Sequence, residues 1–150
     1  MRINKIIAVL LIGIVSVMLL AACRSAATPT PSNTITDIVW RWESVTDQST
    51  DVKTVVPDPK NYTITFNTDG TFEGKADCNN ISGTYTQTNG FSITVGPSTL
   101  AYCGDTSMDQ QYISLLNSIA AGGPDGAGGF ALETAGGAQR MEFSNGGTSK

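Results

Sequence analysis

Cys23, Cys78 and Cys103 are the residues of this 150-residue chain best suited to covalent chemistry, and no histidine stands with them. Without an imidazole, Ser-His-Asp and Cys-His nucleophilic machinery is excluded, and so is His-based metal catalysis. Cys23 follows Leu20-Ala21-Ala22, whose small residues let a signal peptidase reach the backbone. A thiol at that place can carry a diacylglyceryl thioether, and several acyl chains at about 0.8 kcal/mol per buried CH₂ hold a protein firmly on a membrane. With Cys23 taken by lipid, Cys78 and Cys103 are an even pair in an oxidising compartment, and a disulfide between them is the expected outcome. Closing a loop of about 25 residues contributes roughly 3 kcal/mol in the chain-entropy model. Two free buried thiols or a metal pair are the alternatives, and the spacing matches no zinc pattern.

Paired carboxylates are the other chemistry to weigh. Glu73 and Asp77 are four residues apart and share a face if one strand runs through both, with Asp69 beside them. Their surroundings are polar and rich in glycine and threonine, which suits a solvated face better than a raised catalytic pKa. Asp105, Asp109 and Asp125 lack the spacing of a calcium loop. The glycines from Gly122 to Gly129 do not form a G-x-G-x-x-G between strand and helix, so they offer no phosphate cradle. Neither a metal nor a cofactor is expected, and the chain reads as a non-enzyme.

The elements that must position these residues begin with an export signal over residues 1–22. Arg2 and Lys5 make a positive start, and Ile6 to Leu20 is a 15-residue apolar run broken only by Gly13 and Ser16. That run is short of the roughly 20 residues that a membrane-spanning helix needs. Arg24 follows the cysteine, so the aspartate associated with inner-membrane retention is absent and an outer membrane, where the source has one, is permitted. Removing Arg2 and Lys5 from nine basic residues leaves seven against 13 acidic ones, a net charge near −6. That sign opposes nucleic-acid binding. Residues 23–36, with their Thr-Pro repeat, read as a semi-extended tether.

The folded domain is expected over residues 37–144, with a disordered tail at 145–150. Ile38 to Trp42 alternates and puts Trp40 and Trp42 on one face. Residues 46–60 look like a long loop. Tyr62 to Phe66 alternates strictly, Asn67-Thr68-Asp69-Gly70 is turn chemistry, and Thr71 to Lys75 returns as a hairpin partner. Ile81 to Thr86 and Phe91 to Val95 are strands around Asn89-Gly90. From Ser107 to Ala120, Met108, Tyr112, Leu115, Leu116 and Ile119 fall at helical spacing, with Ser107 and Gln110 as a capping box and Gly122-Gly123-Pro124 as the stop. A last hairpin joins Gly129–Glu133 to Arg140–Phe143 across Gly136-Gly137. The plan is mainly β, or α+β: a curved antiparallel sheet or open barrel with one packed α-helix.

The stretch from Asp77-Cys78-Asn79 to Gly83-Thr84-Tyr85 resembles the Gly-Cys-Asn…Gly-x-Tyr signature of the META domain, the family of HslJ-like lipoproteins. Val39-Trp40 and Trp42 resemble its opening strand, and Phe66 to Gly70 its Phe-x-x-Asp-Gly turn. Ser98-Thr99 through Cys103 resembles its Ser-Thr…Ala-Cys segment, and Met108 to Leu116 its helix. Two positions depart: Asp77 replaces a glycine, and Gln110 or Gln111 stands where glutamate is common. The resemblance implies a curved antiparallel sheet around a helix, and a role in envelope stress or at the cell surface with no established reaction. From the residues themselves, Asn79 suits a tight connection, Gly83 a bulge or close backbone approach, and Tyr85 a ring whose hydroxyl needs a partner. These three are the candidates for a family-motif binding role.

The leading expectation is a lipid-anchored, non-catalytic envelope module facing the extracytoplasmic side, whose partner is an envelope protein or a surface polymer. A lipoprotein inhibitor of a lysozyme-like or other secreted enzyme is the alternative among binding proteins. A hydrolase working through Glu73 and Asp77 is the alternative of another class.

Overall fold

The computed structural model describes residues 34–99 and 101–149. The signal peptide, Cys23 and most of the tether lie outside the described residues. Nine strands form one antiparallel sheet: β1 (Ile38–Asp47), β2 (Val52–Val55), β3 (Tyr62–Phe66), β4 (Thr71–Ala76), β5 (Asn79–Thr86), β6 (Ser92–Val95), β7 (Ile119–Pro124), β8 (Phe130–Thr134) and β9 (Gln139–Thr148). The order is β6-β5-β4-β3-β1-β9-β8-β7, with β2 pairing the second half of β1. One helix, α1 (Asp109–Asn117), joins β6 to β7. The sheet curls into a barrel with a single seam between β6 and β7, bridged where the Phe91 amide donates to the Ala120 carbonyl at 3.2 Å.

The strict alternation read in β1 and β3 is what fills this barrel. Trp40, Trp42, Ile64 and Phe66 are all buried, while Val39, Arg41 and Thr63 take the other face. Phe66 sits amid Tyr85, Phe91 and Phe130, with centroids 4.7 to 5.5 Å away. Helix α1 closes one end by laying Tyr112 flat on Trp42, centroids 5.0 Å apart, with Leu115 and Leu116 beside it.

Five sequence expectations need correction. The domain starts before Asp37: Ile35 is buried in the core, its carbonyl accepts the Trp40 indole N–H at 2.9 Å, and Thr36 bridges to Phe66. The stretch 46–60 is not all loop, because β1 runs to Asp47 and β2 returns along it. Asp47 Oδ1 takes the amides of Ser49 and Thr50 and so builds the turn locally. Helix α1 starts at Asp109 without the capping box; Ser107 Oγ accepts the Asp109 amide at 3.2 Å and the Tyr62 hydroxyl accepts that of Met108 at 2.9 Å. It also stops at Asn117, and Ile119 to Pro124 becomes edge strand β7, where Pro124 removes no ladder bond that the edge needs. Asn145 to Thr148 is strand rather than disordered tail, since backbone pairing of Asn145 with Trp40 and of Thr148 with Ile38 requires no apolar side chains.

Candidate functional site

The β4–β5 hairpin turn carries the residues singled out in the sequence. Asp77 adopts φ +57, a left-handed conformation natural to glycine and tolerated by aspartate, so its place in the chain is explained by backbone geometry. Its carboxylate accepts from the Tyr62 hydroxyl at 3.3 Å. Cys78 is bonded to Cys103, with Cα atoms 5.6 Å apart across 25 residues, as the cysteine arithmetic predicted. Asn79 is fully buried: Oδ1 accepts the Ala101 amide at 2.8 Å, and Nδ2 donates to the Ala101 carbonyl at 3.0 Å and to Asp109 Oδ2 at 3.2 Å. Asn80 then receives Thr99 through its backbone amide, which donates to Oγ1 at 3.0 Å.

All four consecutive residues therefore hold other parts of the chain in place. Asp77 steadies the entry to α1 through Tyr62; Cys78, Asn79 and Asn80 pin the segment 99–103 against the sheet. With Asn79 buried and both ends of its amide engaged, nothing of it faces a ligand. Gly83 is the close approach expected of it, because a Cβ there would lie 2.1 Å from the Thr94 carbonyl oxygen and 2.7 Å from the Phe72 ring. Tyr85 donates its hydroxyl to the Asn67 carbonyl at 2.8 Å, and its pKa is raised by burial and by the nearby charges of Asp69 and Asp37.

Thr99, the first residue of the pinned segment, and Pro97 just before it stand at one side of a groove of about 570 Å³ on the outer face of β3, β4 and β5. Thr63, Thr65, Glu73, Lys75, Asn80 and Ser82 line the floor, with Val39 beside them. The register orders the floor into two rows: Thr65, Glu73 and Ser82 are cross-strand neighbours, and so are Thr63, Lys75 and Asn80. Outward placement of Thr63 and Thr65 was already implicit in the alternation from Tyr62 to Phe66. That Asn79 would reach Ala101 and Asp109 had no local signal, because both partners come from distant sequence.

Glu73 and Asp77 are not brought together. Strand β4 ends at Ala76, so Asp77 swings into the turn and lines a different depression with Pro57, Asp58 and Tyr62, whereas Glu73 lies in the groove. Among the described residues no three Cys, Asp or Glu side chains are grouped to hold a metal ion.

A second depression, of about 440 Å³, lies over β1, β8 and β9. Its charged groups are engaged within the chain. Glu142 meets Lys53 at 2.6 Å and Ser44 at 3.0 Å, Arg140 meets Glu133 at 2.5 Å, and Glu43 accepts from the Ser144 hydroxyl. Asp125 Oδ1 takes the amides of Ala127 and Gly129 at 2.8 Å each.

The family model described as the META domain matches residues 33–145. A crystal structure of a DUF4847 family protein from Bacteroides vulgatus superposes with a TM-score of 0.57 at 15% identity, over 77% of this chain and 96% of that one, and so shares the fold. No curated protein matches the chain. The match reaches every strand of the barrel, ending within β9, and includes the Asp77–Asn80 turn, the disulfide and the helix that they hold together: the chain belongs to the META domain family.

Proposed function

We propose that this META-domain protein is a lipid-anchored, non-catalytic module of the cell envelope. Residues 1–22 export it, Cys23 carries the lipid, and the barrel faces the extracytoplasmic side, where it binds an envelope protein or a surface polymer, with envelope stress as its setting. The observation that carries this reading is the division of the cysteines. Cys23 lies directly behind the apolar run and Leu20-Ala21-Ala22, while Cys78 and Cys103 pair in a disulfide that suits an oxidising compartment. The Asp77–Asn80 motif supports binding over catalysis, since its residues hold other parts of the chain and the Asn80–Thr99 hydrogen bond joins two residues that line the groove.

The test is metabolic labelling of the full chain with a palmitate analogue, followed by membrane fractionation. Label and membrane association that vanish in Cys23→Ala are expected. An unlabelled chain recovered at the same size with and without an inhibitor of the lipoprotein signal peptidase would overturn the anchor.

A further inference from the structure

The groove on β3, β4 and β5 differs from the other depressions in what its charges do. Glu73 and Lys75 lie side by side on the outer face of β4, both exposed, and neither makes an ion pair or side-chain hydrogen bond among the described residues. The charged groups of the second depression, by contrast, each have an opposite charge, a hydroxyl or a backbone amide of the chain as partner. Glu73 and Lys75 form no ion pair with each other either, so both charges are open to a ligand. Thr65 and Ser82 are the cross-strand neighbours of Glu73, and Thr63 and Asn80 those of Lys75.

We propose that this groove binds a short peptide that carries both a free ammonium and a free carboxylate. The ammonium would meet Glu73, the carboxylate Lys75, and the amide between them the hydroxyl and amide groups of the two rows. An extended dipeptide spans about 7 Å, close to the roughly 6.6 Å between backbone positions two apart on a strand, so it can lie along β4 over both side chains. Val39 and Pro97 offer the small apolar surfaces that short side chains need, and the volume of about 570 Å³ lies in the range of small-ligand sites. A neutral glycan fits less well, because among the described residues no aromatic ring lines the groove to stack on a sugar face. The proposal rests on the binding-module reading above, and Thr99 at the groove's side is held by the Asn80 amide.

The experiment is isothermal titration of the full chain in detergent micelles with alanyl-alanine, its N-acetyl form and its C-terminal amide. Saturable binding of the free dipeptide is expected, weakened about tenfold in Glu73→Gln and in Lys75→Gln, since each loses one charge-assisted contact. The N-acetyl form should still respond to Lys75→Gln but no longer to Glu73→Gln, and the amide should do the reverse. Unchanged thermal unfolding of both variants shows that the fold is intact. No saturable binding at millimolar dipeptide, equal binding of a doubly capped peptide, or binding of a neutral oligosaccharide insensitive to both variants would each overturn the proposal. Palmitate labelling reads the anchor separately, so failure of one reading is distinguishable from failure of the other.

Discussion

Asn79 and Ala101 bind each other twice: the asparagine Oδ1 accepts the alanine amide at 2.8 Å, and its Nδ2 donates to the alanine carbonyl at 3.0 Å. A side-chain amide here does what a neighbouring strand would do, giving a stretch of irregular backbone the donor and acceptor it would otherwise lack. The same Nδ2 reaches Asp109 at the start of α1, so one buried residue ties the β4–β5 turn, the segment at Ala101 and the helix together. Asn79→Ala removes these three contacts and a fourth, from Nδ2 to Cys103 Sγ at 3.2 Å, and leaves buried polar groups unsatisfied. It should cost about 2–4 kcal/mol in urea unfolding. Asn79→Asp should fail similarly, because it cannot donate to Ala101 and places a second carboxylate beside Asp109.

The disulfide fastens the same segment covalently. Opening the 25-residue separation between Cys78 and Cys103 should cost roughly 3 kcal/mol, read as the stability difference between oxidised and reduced protein. Hydrogen exchange should rise first in segment 96–108, with β1 and β9 unaffected. Thiol titration of the denatured, unreduced protein should find neither cysteine free.

What could be read in advance follows the range of the interactions. Alternation at Trp40 and Trp42, and at Ile64 and Phe66, marks a half-buried strand because the side-chain period is local, and these strands were legible. Cys78 with Cys103 was legible by counting. Strand β2 was hidden because Val52 and Val55 are exposed on an edge and carry no inward face. The end of β9 was hidden for a related reason: Asn145 to Thr148 pairs through its backbone alone. The groove was half legible: Thr63, Thr65 and Glu73 were on the outer face by parity, but the side that makes a face into a groove depends on Asn80 meeting Thr99 across distant sequence.

Gly83 faces Phe72 and Val95 across the register, and a methyl group there would lie 2.1 Å from the Thr94 carbonyl oxygen. The obstacle is backbone, which cannot rotate away. Gly83→Ala should therefore destabilise by at least about 2 kcal/mol in thermal or urea unfolding. Gly123→Ala is the matched control, since nothing lies within 4 Å of a Cβ at that position, and it should change little.

Glu142 contributes stability with a definite pH sense. Its hydrogen bond from Lys53 first, and that from Ser44 second, hold its carboxyl below the usual glutamate range. A lowered folded pKa means that the contribution is complete above the unfolded value and is lost as pH falls through the folded one. Because both side chains are about half exposed, at 52% and 44%, the pair is screened and worth no more than about 1 kcal/mol. Lys53→Met should be slightly less stable than the parent at neutral pH. That gap should close as pH drops below the glutamate range, and added salt should narrow it at neutral pH.

Tyr112 predicts an effect of the opposite sign. Its ring is fully buried, stacked on Trp42 at 5.0 Å and edge-on to Tyr62 at 5.9 Å, yet its hydroxyl has no hydrogen-bond partner among the described residues. Tyr112→Phe keeps both ring contacts and removes only the unsatisfied group, so it should stabilise the fold by about 1 kcal/mol. Burial also drives the hydroxyl pKa well above the ordinary tyrosine range, so the folded chain holds a proton that the unfolded chain releases. The stability tied to that proton is lost as pH rises past the unfolded value, and the advantage of phenylalanine should therefore grow in alkali. Tyr62→Phe is the internal contrast: its hydroxyl accepts the Met108 amide at 2.9 Å and donates to Asp77, so losing it should weaken the start of α1. If both variants moved stability in the same direction, the hydrogen-bond assignment of the two hydroxyls would be wrong.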